Sequence, residues 1–127
     1  MSKQIYTEGS PWEPIVGYAR AVKIGNIIEI SGTTATVNGE VIGKDDVYLQ
    51  TKTILQKFDK VLNELGASLN DVVRTRIFCT DISQWEKIGK AHGEFFSEIK
   101  PTTGMYQISK LISEDLLVEI EATAVIA

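Results

Sequence analysis

Leu117 to Ala127 reads LVEIEATAVIA, an apolar run interrupted by two carboxylates two positions apart. Side chains alternate across a strand, so Val118, Ile120, Ala122, Ala124 and Ile126 share one face and Glu119, Glu121 and Thr123 the other. The first face is core. The second carries charge that a small protein rarely buries, so it must meet water, a cation, a ligand cavity or a second subunit.

Working outward from this strand, Thr102 to Ser109 precedes it as another strand, and Pro101 resets the chain before that. Upstream, Trp85, Ile88, His92, Phe95, Phe96 and Ile99 make the apolar side of a helix. Val73 to Cys79 (VRTRIFC) alternates again, with Val73, Thr75, Ile77 and Cys79 on one face and Arg74, Arg76 and Phe78 on the other. Before it, Val47, Thr51, Ile54, Leu55, Phe58, Val61, Leu62 and Leu65 follow helical spacing. Asp45 or Asp46 starts that helix and Gly66 stops it. At the N-terminal end, Pro11 and Pro14 punctuate an irregular arm. Ala19 to Ile24 and Ile27 to Ala35 then form a hairpin about Gly25-Asn26, and Asn38-Gly39 turns into a third strand ending near Ile42. The predicted order is β-β-β-α-β-α-β-β. If both helices are right-handed crossovers between neighbouring parallel strands, they cover the same face of a mixed sheet. The fold class is α+β, in one domain over residues 1–127.

Composition narrows the function. The chain has 127 residues and a formal net charge of -4, which argues against a broad nucleic-acid footprint. A single cysteine, Cys79, rules out an intrachain disulfide, and one histidine with no CxxC pair leaves no strong metal constellation. The N-terminal MSKQIYTEGSPWEP lacks a signal peptide's apolar stretch, and no run reaches the roughly 20 apolar residues of a membrane span. A cytoplasmic protein without membrane attachment is expected. Patterns for nucleotide phosphates, GxGxxG or a P-loop, are absent. Periodicity alone leaves the open sheet face as either a wet surface or a self-association surface.

Several segments, in this order and spacing, resemble the RidA/YjgF family of reactive intermediate deaminases, also known as L-PSP endoribonuclease-like proteins. They are GYARAVKIGNIIEISGTTA (Gly17 to Ala35), GASLNDVVRTRIFCTDISQWEKI (Gly66 to Ile88), GEFF (Gly93 to Phe96), PTTGM from Pro101, and LVEIEATAV (Leu117 to Val125). The resemblance implies a chorismate-mutase-like fold and a homotrimer whose sheets form a central barrel. It also implies small-molecule clefts between subunits and no cofactor. In the archetypal deaminases an arginine two residues after the proline holds the carboxylate of an imine or enamine acid. Thr103 stands there in this chain. A hydroxyl offers one neutral hydrogen bond where guanidinium offers a bidentate, charge-assisted grip, each charged bond contributing about 1.5–3 kcal/mol. Gly89 stands where asparagine is usual and Met105 where cysteine is frequent, whereas Tyr18, Ser31, Gly32 and Glu119 match.

Glu119 is thus the candidate acid/base, provided burial lifts its pKa toward neutrality. Tyr18, Ser31, Gly32, Thr33, Arg76, Gly89, Thr103 and Met105 are the candidate substrate contacts. Glycine at 32 either lets backbone N–H groups approach a ligand or relaxes a strand bulge. Arg76 either lines the cleft with Glu119 or, like Arg74, pairs with Glu119 or Glu121 as a purely structural neutralisation. His92 and Cys79 read as packed residues. The expected function is a cofactor-independent deaminase or hydrolase of a small imine or enamine, with a substrate altered by Thr103. The alternatives are a non-catalytic ligand-sensing trimer and, last, a ribonuclease.

Overall fold

The computed structural model describes residues 2–127. Its elements run β1 (Lys3–Tyr6), α1 (Trp12–Val16), β2 (Ala21–Ile24), β3 (Ile27–Thr33), β4 (Thr36–Val37), β5 (Glu40–Val41), α2 (Val47–Glu64), β6 (Val72–Cys79), α3 (Trp85–Phe96), β7 (Thr102–Gln107) and β8 (Val118–Val125). One six-stranded sheet has the order β1-β2-β3-β8-β6-β7, and β4-β5 forms a separate hairpin. The β6–β7 pair is parallel and the other pairs are antiparallel. This is a mixed α+β architecture with α2 and α3 packed together over the sheet.

The long helix begins where its carboxylate predicts. Asp46 is extended and its side chain accepts a hydrogen bond from the Leu49 N–H at 3.0 Å, satisfying one of the free donors of the first turn. At the other end Gly66 takes φ +80°, and the N–H groups of Gly66 and Ala67 return to the carbonyls of Asn63 and Leu62. That left-handed closure needs glycine at little steric cost. Between the caps, Ile54, Leu55, Phe58 and Leu62 are fully buried against Ile28, Ile77, Val118 and Ile120 of the sheet. Each such side chain contributes about 1.5–3 kcal/mol by leaving water.

Several local expectations change. The N-terminal arm is not irregular throughout: Lys3–Tyr6 adds an edge strand to β2, and Trp12–Val16 makes a short helix. The segment after β3 does not extend the main sheet, because Thr36–Val37 pairs with Glu40–Val41 alone. Only α3 joins neighbouring parallel strands. β3 and β6, which α2 connects, are separated by β8, which inserts antiparallel to both. Val73 leaves the core face, since the β6–β8 register slips between Val72 and Arg74 and Val72 takes the buried position. Trp85 is exposed at the start of α3 instead of packed beneath it.

β8 carries the alternation through unchanged. Val118, Ile120, Ala122 and Ala124 are buried, while Glu119, Glu121, Thr123 and Val125 are half-buried on the uncovered face. Its entry is locked by Gln50, a fully buried helix residue. The Gln50 amide donates to the carbonyls of Gly43 and Asp115 and accepts from the Leu117 N–H at 2.9 Å. No helix is long and apolar enough to cross a membrane, a statement that covers the described residues.

Candidate functional site

The β3–β8 pairing breaks between Ile30 and Thr33, which meet Ala122 and Ile120 respectively, leaving Ser31 and Gly32 as extra residues opposite Glu121. The bulge turns Gly32 toward the next acidic side chain. A Cβ built on Gly32 would lie 2.6 Å from Glu119 Oε2 and 2.9 Å from its Cδ, so the absence of a side chain there is what lets the carboxylate lie against the backbone. Among the described residues Glu119 has no hydrogen bond or ion pair in its own chain. Burial raises its pKa, the nearby Arg20 guanidinium opposes the shift, and Glu121 adds to it; the net direction is upward.

Arg20 organises the ground under this carboxylate. It is 5 % exposed and its Nη1 donates to the Gly32 carbonyl at 2.6 Å and to Thr33 Oγ1 at 2.8 Å. Thr33 passes its own proton to the Ser31 carbonyl, and Ser31 Oγ donates to the Ala19 carbonyl at 2.7 Å. Arg20 Nη2 reaches the Tyr18 hydroxyl at 3.4 Å, and the guanidinium lies 5.6 Å from the Tyr18 ring centroid. Glu8 stands 3.6 Å from Arg20 Nε and 3.5 Å from Lys57 Nζ. Lys57 also donates to the carbonyls of Thr34 and Thr36, which ties α2 to the chain leaving β3. Burial lowers the Lys57 pKa, with Glu8 opposing the shift. Sequence reasoning missed Arg20. The one visible hint was a charge between Ala19 and Ala21 just before an apolar strand.

Of the residues singled out from sequence, Glu119, Tyr18, Ser31, Gly32 and Thr33 therefore cluster around the β3 bulge. Arg76 does not join them: it lies opposite Glu121 in register and forms a half-exposed ion pair with it at 3.5 Å. Such a pair contributes little in water and neutralises charge on the open face. Thr103 and Met105 lie two strands from β8, about 10 Å away by strand spacing. They pair with the core-facing Thr75 and Ile77, on the face opposite Glu119. Gly89, half-buried on α3, belongs to that same helix-covered side. Cys79 is buried in the core, which raises its thiol pKa.

The second group contains a polar chain. Thr75 Oγ1, in a residue with no exposed surface, is 2.9 Å from His92 Nε2 and 2.8 Å from Thr103 Oγ1. The His92 ring stacks obliquely on Phe96 with centroids 4.7 Å apart. Burial lowers the His92 pKa, favouring the uncharged imidazole. His92 is the packed residue expected from its helix stripe, with a hydrogen bond that no pattern could foretell.

The family described as Endoribonuclease L-PSP matches residues 8–126. The chain belongs to this family. A RutC family protein of Pyrococcus abyssi is 37% identical over 127 residues, covering 98% of both chains. The 3-aminoacrylate deaminase RutC of Acinetobacter baylyi is 32% identical over 121 residues, covering 94% of both. Among solved structures, a Mycobacterium tuberculosis member of the YjgF/YER057c/UK114 family superposes with a TM-score of 0.90 at 42% identity, covering 98% of this chain and 100% of that one. These relatives establish the RidA/YjgF assignment and the fold.

Proposed function

We propose that this protein is a cytoplasmic, cofactor-independent deaminase or related hydrolase of a small imine or enamine, working as a homotrimer with its clefts between subunits. The observation that carries the reading is the Glu119 carboxyl, unpartnered in its own chain, raised in pKa by burial and seated over Gly32. A carboxyl tuned upward can exchange protons near neutral pH, where an ordinary exposed one stays ionised. The 3-aminoacrylate deaminase activity of the Acinetobacter relative supports the reaction class.

In the proposed step, water adds to the carbon of the C=N bond while Glu119 accepts the water proton. Glu119 delivers that proton to nitrogen to give the carbinolamine, then takes the carbinolamine hydroxyl proton and passes it to the amine, so that the C–N bond breaks, ammonia leaves and a carbonyl remains. Tyr18, Ser31, Gly32 and Thr33 shape one wall. Gly89, Thr103 and Met105 supply the other from a neighbouring copy, because within one chain they lie on the opposite face of the sheet. The uncovered face suits association: Ile5, Ile24, Ile27 and Tyr106 are exposed on it, and the Tyr106 ring lies 6.0 Å from that of the half-buried Phe78. Arg76 remains a structural partner of Glu121.

The test couples the protein to an oxidase that generates imines from amino acids and follows ammonia release. Faster release with the protein than without it, lost in Glu119→Gln, is the expected result; equal rates refute the deaminase reading. Thr103 favours a second reading, a ligand-sensing trimer without catalysis, because it lacks the cation that would anchor an acid substrate. That reading predicts ligand-dependent thermal stabilisation without turnover.

A further inference from the structure

We propose that Glu8 is a positioning residue for Glu119: set between Arg20 and Lys57, its carboxylate holds the Arg20 guanidinium beneath the Gly32 bulge and so fixes where that positive charge meets the acid/base. The inference rests on Glu119 being the acid/base of the proposed reaction. It adds a residue of the N-terminal arm that tunes it.

A guanidinium is a planar fork, and its orientation is set by what meets each edge. On Arg20, Nη1 is taken by the bulge and Nη2 faces the Tyr18 hydroxyl. The Nε edge differs. It has no hydrogen-bond partner, and Glu8 Oε1, 3.6 Å away, is its ion-pair partner among the described residues. The Arg20 side chain is 6 % exposed and that of Lys57 16 %, so neither cation can turn to water, whereas the Glu8 side chain, 30 % exposed, covers both from the rim. Lys57 is a fixed post. Its ammonium donates to the Thr34 and Thr36 carbonyls at 3.1 and 2.9 Å and stands 3.5 Å from the same Glu8 oxygen. Glu8 itself belongs to a loop whose ends meet where the Arg20 N–H donates to the Tyr6 carbonyl at 2.9 Å, and its own N–H donates to Glu13 Oε2 at 3.3 Å. Arm, helix and bulge thus converge on one carboxylate.

Arginine stays charged, so neutralising Glu8 leaves two poorly hydrated cations facing each other with no anion between them. The guanidinium then turns toward Glu119, the carboxylate beside the bulge that already feels it. Loss of a negative neighbour and approach of the guanidinium act in the same direction, favouring ionised Glu119. Removing the Lys57 charge does the reverse. Glu8 is then left to Arg20 alone and draws the guanidinium away from Glu119. The remaining charged neighbour of Glu119 is Glu121, itself paired with Arg76, and the remaining titratable groups beside Glu8 are Glu13 and Tyr6.

An NMR pH titration of the intact protein, labelled with carbon-13 at its glutamate carboxyls, follows Glu119 directly, its signal assigned by its absence in Glu119→Gln. The Glu119 midpoint should fall by about one pH unit in Glu8→Gln, the scale of coupling within one ion-pair network, and rise in Lys57→Met. Glu8→Asp keeps the charge but withdraws it by one methylene, so its midpoint should fall with that of Glu8→Gln. In an Arg20→Met background, Glu8→Gln should lose its effect; if that double variant does not fold, Glu8→Asp tests the same step. An unmoved midpoint in Glu8→Gln, shifts of the same sign in Glu8→Gln and Lys57→Met, a Glu8→Asp midpoint equal to that of the unsubstituted protein, or a Glu8→Gln shift undiminished without Arg20 would overturn the proposal. The titrations need no turnover, so failure of the deaminase reading shows separately, as unchanged ammonia release.

Discussion

Removing the guanidinium beneath the β3 bulge, by Arg20→Met, tests how the Glu119 cluster is built. Arg20 Nη1 makes two close hydrogen bonds, to the Gly32 carbonyl at 2.6 Å and to Thr33 Oγ1 at 2.8 Å. At about 1.5–3 kcal/mol for each bond involving a charged group, their loss costs roughly 3–6 kcal/mol. Part of this returns, because Arg20 is itself a desolvated cation whose Nε has no hydrogen-bond partner. The expected net destabilisation is about 2–4 kcal/mol by urea unfolding at fixed protein concentration, a Tm decrease on the order of 10 °C. Arg20→Lys should recover only part of the loss, since an ammonium cannot reproduce the planar fork. The same change bears on Glu119. Arg20 opposes the upward pull of burial on its carboxyl, so Arg20→Met should move the Glu119 pKa still higher. A stability change under about 1 kcal/mol, or a Glu119 pKa that falls, would refute this account of the bulge.

Three other outcomes follow from the same geometry. Gly32→Ala places a methyl where the Glu119 carboxylate lies, so the carboxylate must swing away; ammonia release should fall by about 100-fold if its position matters, and an unchanged rate would separate Glu119 from the chemistry. Because the folded pKa of Glu119 is raised, its contribution to stability is full below the unfolded value of about 4.3 and is lost as pH rises through the folded value. Glu119→Gln should therefore gain stability relative to the unsubstituted protein between acid and neutral pH, measured by urea unfolding at both; a constant difference would contradict the shift. Phe58→Ala, at a position with no exposed surface, should cost about 3–5 kcal/mol in the same unfolding assay, and a loss below about 1 kcal/mol would mean that α2 is not the centre of the core.

Strong periodicity made β8 and α2 legible, because eight of the nine buried positions in α2 repeat on one face and β8 alternates without a break. The same rule failed at Val73, where an inserted residue slips the register, and at Trp85, where a helix end opens to solvent. Lys3–Tyr6 lacks an alternating buried face of its own and becomes a strand only because β2 offers an unpaired edge. At the site, Glu119 and Gly32 could be named from the chain and Gly32 marked a possible bulge, but their contact depends on which residues of β8 lie opposite that bulge, which only the strand register fixes. Arg20 gains its role from Glu8, Gly32 and Thr33, brought together by tertiary structure. The choice between Glu119 and Glu121 for Arg76 was open in sequence; the strand register decides it in favour of Glu121.

The insertion of Val118–Val125 between β3 and β6 also governs biogenesis. Until those residues leave the ribosome, β3 and β6 each present a naked hydrogen-bonding edge. A chain stalled before that point would hold two separate half-sheets able to recruit other nascent strands, and its solubility would depend on chaperones shielding those edges until translation completes.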